Sequence, residues 1–262
     1  MLSTTRMPAV LVMTATITPP EGMPGSVRSD PKMRLDDYSR ALKFYLSVPS
    51  CYVDRILFLE NSGSDLSELR QVAGSVEHDK KVEFVGFIGD YKPEFGKGYG
   101  EFNMLDYGLS QYRFFSKTDV LWKVTGRLQI LNLAHLIKTA PQDYTVYCDL
   151  RSVPFIGESL GGNNWMDLRL FSCTVEAYDR LLRSRYLEMT YSQPGFVNPE
   201  KYLFGLMSKA MNDDKKLKPR FRVQPVIAGY GGYGNANYQG LAYKTKEFVR
   251  AAARLTAPWL WL

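Results

Sequence analysis

The chain alternates short runs of consecutive apolar residues with longer stretches in which apolar residues recur every three or four positions. Val10 to Thr16 is an unbroken apolar run, the pattern of a strand buried on both faces in a parallel sheet, and Pro19 and Pro20 end it. After a polar loop holding Arg28, Asp30 and Arg34, the residues Leu35, Tyr38, Leu42 and Tyr45 recur at helical spacing until Pro49. Val53 to Leu59 predicts a second buried strand. It delivers Glu60-Asn61-Ser62-Gly63-Ser64-Asp65 as a turn, before a helix that Leu66 and Leu69 begin. Val82 to Ile88 predicts a third strand. Gly89 to Gly100 reads as a glycine-rich, charged loop opening a helix near Glu101, with Phe102, Leu105, Leu109 and Tyr112 on its inner face. Val120 to Val124 predicts a fourth strand, Leu128, Leu131 and Ile137 a helix, and Tyr144 to Cys148 a fifth strand ending in Asp149-Leu150-Arg151. This rhythm predicts an α/β fold built on a mostly parallel, doubly wound sheet.

Past residue 155 the pattern loosens. Gly157 to Asn164 reads as a loop, Met166 to Phe171 alternates like an edge or antiparallel strand, and Val175, Tyr178 and Leu182 start another helix. Glu200 to Met211 is helical in pattern, and Arg222 to Ile227 reads as a strand. Gly229 to Gly240 holds five glycines and three tyrosines, which suits either a plain flexible connection or a segment that covers a ligand. Lys244 to Ala257 predicts a last helix with Phe248, Ala252 and Leu255 on one face and cations elsewhere, followed by Pro258-Trp259-Leu260-Trp261-Leu262. Such a helix either docks on the body with its tryptophans buried or lies in a membrane interface. The expected organisation is one domain over residues 1–262: a regular half at 1–152, a less regular half at 153–242 and a terminal helix at 243–262.

Composition narrows the function. With 262 residues, 45% of them hydrophobic and 23% charged, the chain can bury a substantial core, and disorder, collagen and coiled-coil architectures are excluded. A net charge of +6 suits phosphorylated substrates, polyanions or anionic lipid without choosing among them. Cys51, Cys148 and Cys173 lack the spacing of a zinc site or a disulfide framework and read as small buried hydrophobes in a reducing cytoplasm. His78 and His135 stand near no serine or cysteine motif, which argues against a hydrolase triad. The run Ala9 to Ala15 after Arg6 imitates a weak signal peptide but is too short to cross a bilayer, and no other segment reaches about 20 apolar residues. The chain is therefore expected in the cytoplasm, either free or peripheral on the inner face of the plasma membrane.

The most informative segment is Lys123-Val124-Thr125-Gly126-Arg127, at the end of the fourth strand. In open α/β sheets ligands bind outside the carboxyl ends of the strands. There Lys123 offers a point charge, Thr125 a hydroxyl, Gly126 close backbone approach and Arg127 a planar fork for two phosphate oxygens. Glu101, at a helix start, either favours the helix dipole or accepts from a sugar or ribose hydroxyl. Asp149 and Arg151 form either a local ion pair or a sugar-recognition pair.

Read in order, these parts resemble the nucleotide-sugar-binding half of GT-A glycosyltransferases. In that family the first strand feeds a Thr- or Ser-rich loop, here Thr14 to Thr18, and the second ends in an acidic-Gly-Ser-x-Asp turn, here Glu60 to Asp65. Gly96 to Glu101 is similar to the segment preceding the family's metal motif. The resemblance implies that residues 1–152 bind a nucleotide-sugar donor and 153–242 a glycan or lipid-linked acceptor, in bacterial cell-surface polysaccharide biosynthesis. It implies that Thr14, Thr16 and Asn61 contact base and ribose, that Lys123 and Arg127 meet the diphosphate, and that Asp149 and Arg151 recognise the donor sugar. Where many members carry Asp-x-Asp for Mg²⁺ or Mn²⁺, this chain has Lys-Val-Thr-Gly-Arg, so the cations could neutralise the leaving group directly and metal use stays open. Glu158, Asp167 and Glu200 are candidates for the carboxylate that takes the acceptor proton, Asp149 for a lone metal ligand. Two other readings stand beside this one: a nucleotidyltransferase, and a non-catalytic polyanion or nucleic-acid binder. The cations are spread along the chain rather than gathered in a stripe, so no nucleic-acid partner is expected.

Overall fold

The computed structural model describes residues 8–23, 27–89, 93–112, 116–153, 163–190, 197–232, 234–257 and 260–261; Arg6, Glu158 and Trp259 lie outside them. β1 (Ala9–Ala15) is buried at every position, as its unbroken apolar run requires. It pairs in parallel with β2 (Val53–Glu60) on one side and β4 (Val120–Thr125) on the other, and β3 (Lys81–Gly86) lies parallel beyond β2. Past β4 the direction reverses. β9 (Leu170–Thr174) runs antiparallel to β4, and the short β6 (Val146–Tyr147) pairs antiparallel with β9 at the edge, giving the order β3-β2-β1-β4-β9-β6.

Alternate residues of β1 serve two cores, one on each face of the sheet. Leu11 and Met13 pack with Trp122 under α1 (Pro31–Leu46), α2 (Ser67–Ser75) and α4 (Leu133–Thr139), represented by Tyr38, Leu42, Leu69 and Leu136. Val10 and Val12 pack with Leu57, Leu121 and Phe171 under α3 (Gly96–Gln111), α5 (Val175–Leu181) and α6 (Pro199–Ala210), represented by Phe102, Leu105, Tyr178 and Leu203. Each fully buried side chain of this kind contributes about 1.5–3 kcal/mol. Local signals set the helix starts: the Asp30 carboxylate accepts from Met33 N at 3.0 Å with Pro31 next, and Asn198 accepts from Lys201 N at 3.0 Å with Pro199 next.

Several elements differ from their sequence patterns. The strand expected at Met166 to Phe171 forms four residues later and lies inside the sheet, because both of its faces are covered and the Ser172 hydroxyl is satisfied by Leu121 O at 2.7 Å. Met166 belongs instead to a two-stranded ribbon of β7 (Leu150–Arg151) and β8 (Trp165–Met166). The glycine-rich stretch before Glu101 is already helical from Gly96. A Cβ at Gly98 would lie 2.5 Å from Pro199 Cβ, so glycine lets α3 and the start of α6 touch. The helix expected from Leu128 begins at Leu133, after β5 (Gln129–Ile130), which pairs with β10 (Ile227–Ala228); the strand expected at Arg222 to Ile227 is reduced to that pairing. Cys148 and Cys173 are buried, and burial pushes the Cys173 thiol up to about 12, but Cys51 is exposed. Among the described residues no helix is long and apolar enough to cross a membrane.

Candidate functional site

The carboxyl ends of β1, β2 and β4 meet beside the first turns of α3. Thr14 donates its hydroxyl to Glu101 Oε1 at 3.1 Å and to Val124 O at 3.3 Å. Lys123, on the adjacent strand, donates to the same Glu101 oxygen and to Leu168 O at 2.6 Å. Its side chain is 2% exposed, whereas that of Glu101 keeps 23%. Lys123 is thus not the open cation expected from the sequence. Position 123 lies one pleat back from the strand end, where the stem runs among Val12, Leu105, Leu121 and Phe171, and a cation buried there needs a carboxylate close by. Glu101 is the member of this trio that reaches solvent.

Gly126 closes the sheet. Its N–H donates to Thr14 O at 2.9 Å, and a Cβ would lie 2.7 Å from that same carbonyl oxygen, so the close approach permitted by glycine is to β1. Thr125 is half-buried and donates its N–H to Arg169 O at 3.0 Å. Arg127 turns away from the sheet and donates Nε to Tyr230 O at 3.2 Å, with its guanidinium against Gly232. The glycine-rich stretch 229–232 therefore lies beside the end of β4. Arg28 holds it from the other side, with its guanidinium 4.7 Å from the Tyr230 ring centre and a bond to Asn235 Oδ1 at 3.3 Å.

The loop after β1 is tied down from two directions. Thr16 donates its hydroxyl to Asn61 Oδ1 at 2.7 Å, and Asn61 Nδ2 donates to Gly100 O at 3.3 Å, so buried Asn61 links the β1 loop, the β2 turn and α3. Glu60 is fully buried and accepts from Ile17 N and Ser62 N, both at 3.0 Å, which holds the turn from beneath. Arg34 bonds Thr16 O and, one helical turn on, Tyr38 OH at 3.1 Å.

A second charged group adjoins these ends. Asp149 is buried and accepts both bonds from Arg254 Nη2, each at 2.7 Å, with Arg151 at 3.6 Å. Burial by itself raises the Asp149 carboxyl; the Arg254, Arg151 and Arg220 guanidiniums outweigh it and hold it below the usual carboxylate range. Asp167 is buried between Arg151, at 2.7 Å, and Arg169, which likewise hold it well below that range against burial. Arg169 in turn lies over the rings of Tyr238, at 4.9 Å, and Tyr243, at 5.6 Å. Asp149 and Asp167 are therefore locked carboxylates, and neither is an open base or metal ligand as the sequence suggested.

Glu200 sits in the first turn of α6, with Oε1 taken by Lys97 at 2.7 Å and Oε2 buried without a hydrogen-bond partner among the described residues. Lys97 and Glu101 are one turn apart on α3, which brings Glu200 to the border of the site. Glu158 lies outside the described residues.

The donors among the described residues do not fit a divalent cation. Among the described residues no three of His, Cys, Asp and Glu gather in one place, and Glu101, Asp149 and Asp167 are each already engaged by a cation.

No family model and no curated protein sequence matches the chain. Solved structures do. The glycosyltransferase GlyE of Streptococcus pneumoniae superposes with a TM-score of 0.50 at 10% identity, over 82% of this chain and 45% of GlyE. The fold is GT-A-like. The chain spans less than half the length of GlyE, and at this identity the likeness speaks for fold alone. The galactosyltransferase LgtC, in complex with donor and acceptor sugar analogues, aligns at a TM-score of 0.43 and 10% identity, over 80% of this chain and 72% of LgtC. The inositol-1-phosphate CTP transferase of T. maritima aligns at 0.47 and 12%, over 93% and 96%.

Arg28, Arg34, Arg169 and Arg254 all shape this region and were not candidates from sequence. The one-turn spacing of Arg34 and Tyr38 was a readable signal. Nothing local marks Arg169 or Arg254, which reach the site only through the reversed β9 and through α7 (Leu241–Thr256).

Proposed function

We propose that this chain transfers a sugar from a nucleotide-sugar donor to a glycan or lipid-linked acceptor in bacterial cell-surface polysaccharide assembly. The supporting observation is the convergence of the Thr16–Asn61 loops, half-exposed Glu101 and Arg127 at the carboxyl ends of three parallel strands, where such sheets bind ligands. In this reading the base and ribose lie along the Thr16 and Asn61 loops, and Glu101 accepts from a ribose or sugar hydroxyl. Arg127 faces the diphosphate and stabilises the charge that develops as it leaves. Lys123 and Thr14 aim the Glu101 carboxylate, so Lys123 acts on the ligand through Glu101. Thr125 and Gly126 set the strand end from which Arg127 springs, and Arg151 shapes the donor side through Asp167. Glu200 is the proposed base, taking the acceptor hydroxyl proton as its oxygen attacks the anomeric carbon.

A nucleotidyltransferase would share the sheet but ordinarily needs carboxylates free to hold a metal, and Glu101, Asp149 and Asp167 are each engaged by a cation. Thermal shift against nucleoside diphosphates and nucleotide sugars, with and without Mn²⁺, tests the reading. One nucleoside diphosphate should raise the melting temperature, with the gain lost in Arg127→Ala. Release of pyrophosphate from a nucleoside triphosphate and a sugar phosphate would favour the nucleotidyltransferase instead.

A further inference from the structure

Helix α7 is built inside out. Its inward face is polar: Arg254 bonds Asp149 and Phe221 O, Arg250 bonds Glu247 at 2.7 Å, and the Tyr243 hydroxyl accepts from Arg169. Its outward face is apolar. Leu241 is 83% exposed, Phe248 75% and Leu255 83%. These three residues are spaced by seven, so they form one stripe along the helix, about 21 Å long at 1.5 Å per residue. Large apolar side chains in solvent, in register on one helix, need a partner.

Charge identifies it. The exposed positions of α7 carry two ionised residues, Lys244 and Lys246, and no carboxylate; the helix's one acid, Glu247, is turned inward toward Gln224 and Arg250. A second copy of the chain would bring lysine against lysine with nothing to neutralise them. An anionic lipid surface supplies acyl chains for the stripe and negative headgroups for the lysines. We propose that α7 lies in the interface of an anionic membrane, with Leu241, Phe248 and Leu255 inserted and Lys244 and Lys246 at headgroup level. Trp261, for which the sequence left burial on the body and a membrane interface both open, packs against Phe204 and accepts through its backbone oxygen from Ser152 N at 2.8 Å, so the apolar side chains offered to lipid are those of the helix stripe. Because Arg254 and Arg250 emerge from the same helix, docking and the Asp149 cluster share one rigid element.

Co-sedimentation with vesicles of phosphatidylcholine, with or without phosphatidylglycerol, tests this without reference to catalysis. The protein should partition onto the anionic vesicles and be released at about 0.5 M salt. Phe248→Ser with Leu255→Ser should lower partitioning at least tenfold, and Lys244→Glu and Lys246→Glu by about fivefold or more each. Circular dichroism should show all variants folded, since the substituted side chains are exposed. Equal partitioning of native protein and the double serine variant overturns the proposal. So does binding of neither vesicle, or a native dimer in analytical ultracentrifugation that Phe248→Ser dissociates, which would make a second copy the occupant.

Discussion

Lys123 on β4 and Glu101 on α3 form an ion pair whose two ends differ in environment: the ammonium is buried and the carboxylate half-open. That asymmetry orders the cost of breaking it. Glu101→Ala strands a buried cation and should destabilise the fold by about 3–5 kcal/mol, whereas Lys123→Met leaves a partly solvated carboxylate still bonded to Thr14 and should cost within about 1–2 kcal/mol. Urea unfolding midpoints decide this. Equal costs would mean that burial is not what distinguishes the partners.

At Arg127 the expected effect is on ligand and not on fold. Its guanidinium is half-exposed and bonds a carbonyl, so Arg127→Lys should change stability by no more than about 0.5–1 kcal/mol. Affinity for the stabilising nucleoside diphosphate should fall tenfold or more, because a point charge replaces a planar fork. Isothermal titration of both proteins gives the comparison.

Two glycines should respond in opposite directions to alanine. Gly126→Ala forces a methyl group to within 2.7 Å of Thr14 O and must part β1 from β4, costing about 1–3 kcal/mol. Gly205, inside α6 with nothing within 4 Å of its would-be Cβ, should gain about 0.5–1 kcal/mol as alanine. Melting temperatures that move the same way in both would refute the packing argument.

Acid should weaken the Asp149 and Asp167 clusters. Both carboxyls are held below their unfolded value by arginines, so their stabilisation is fully present above about pH 4 and is lost as pH falls through the folded-state values. Asp149→Asn should lower stability at neutral pH, since Arg254 loses its counter-charge, yet flatten the decline below about pH 4. A slope unchanged from the native protein would assign the acid sensitivity elsewhere.

The amino-acid sequence by itself determined β1, β2, β4 and the helices α1 and α2. Unbroken apolar runs and helical spacing report burial directly, and Asp30, Pro31 and Pro49 punctuate them locally. It also brought Asn61 and Arg127 to strand ends, at the edge proposed here to bind the ligand. Tertiary structure alone decided what those groups touch. Strand periodicity assigns Lys123 to a face but is silent on what covers that face, and α3 covers it with a carboxylate. Alternation at Met166 to Phe171 allowed an antiparallel strand but not its place, and the pairing of β9 with β4 inside the sheet carries Arg169 to Thr125 and sets Asp167 between two arginines. The amphipathic pattern of α7 showed two faces without saying which was inward. Arg254, by pairing with Asp149, turned the apolar one to solvent.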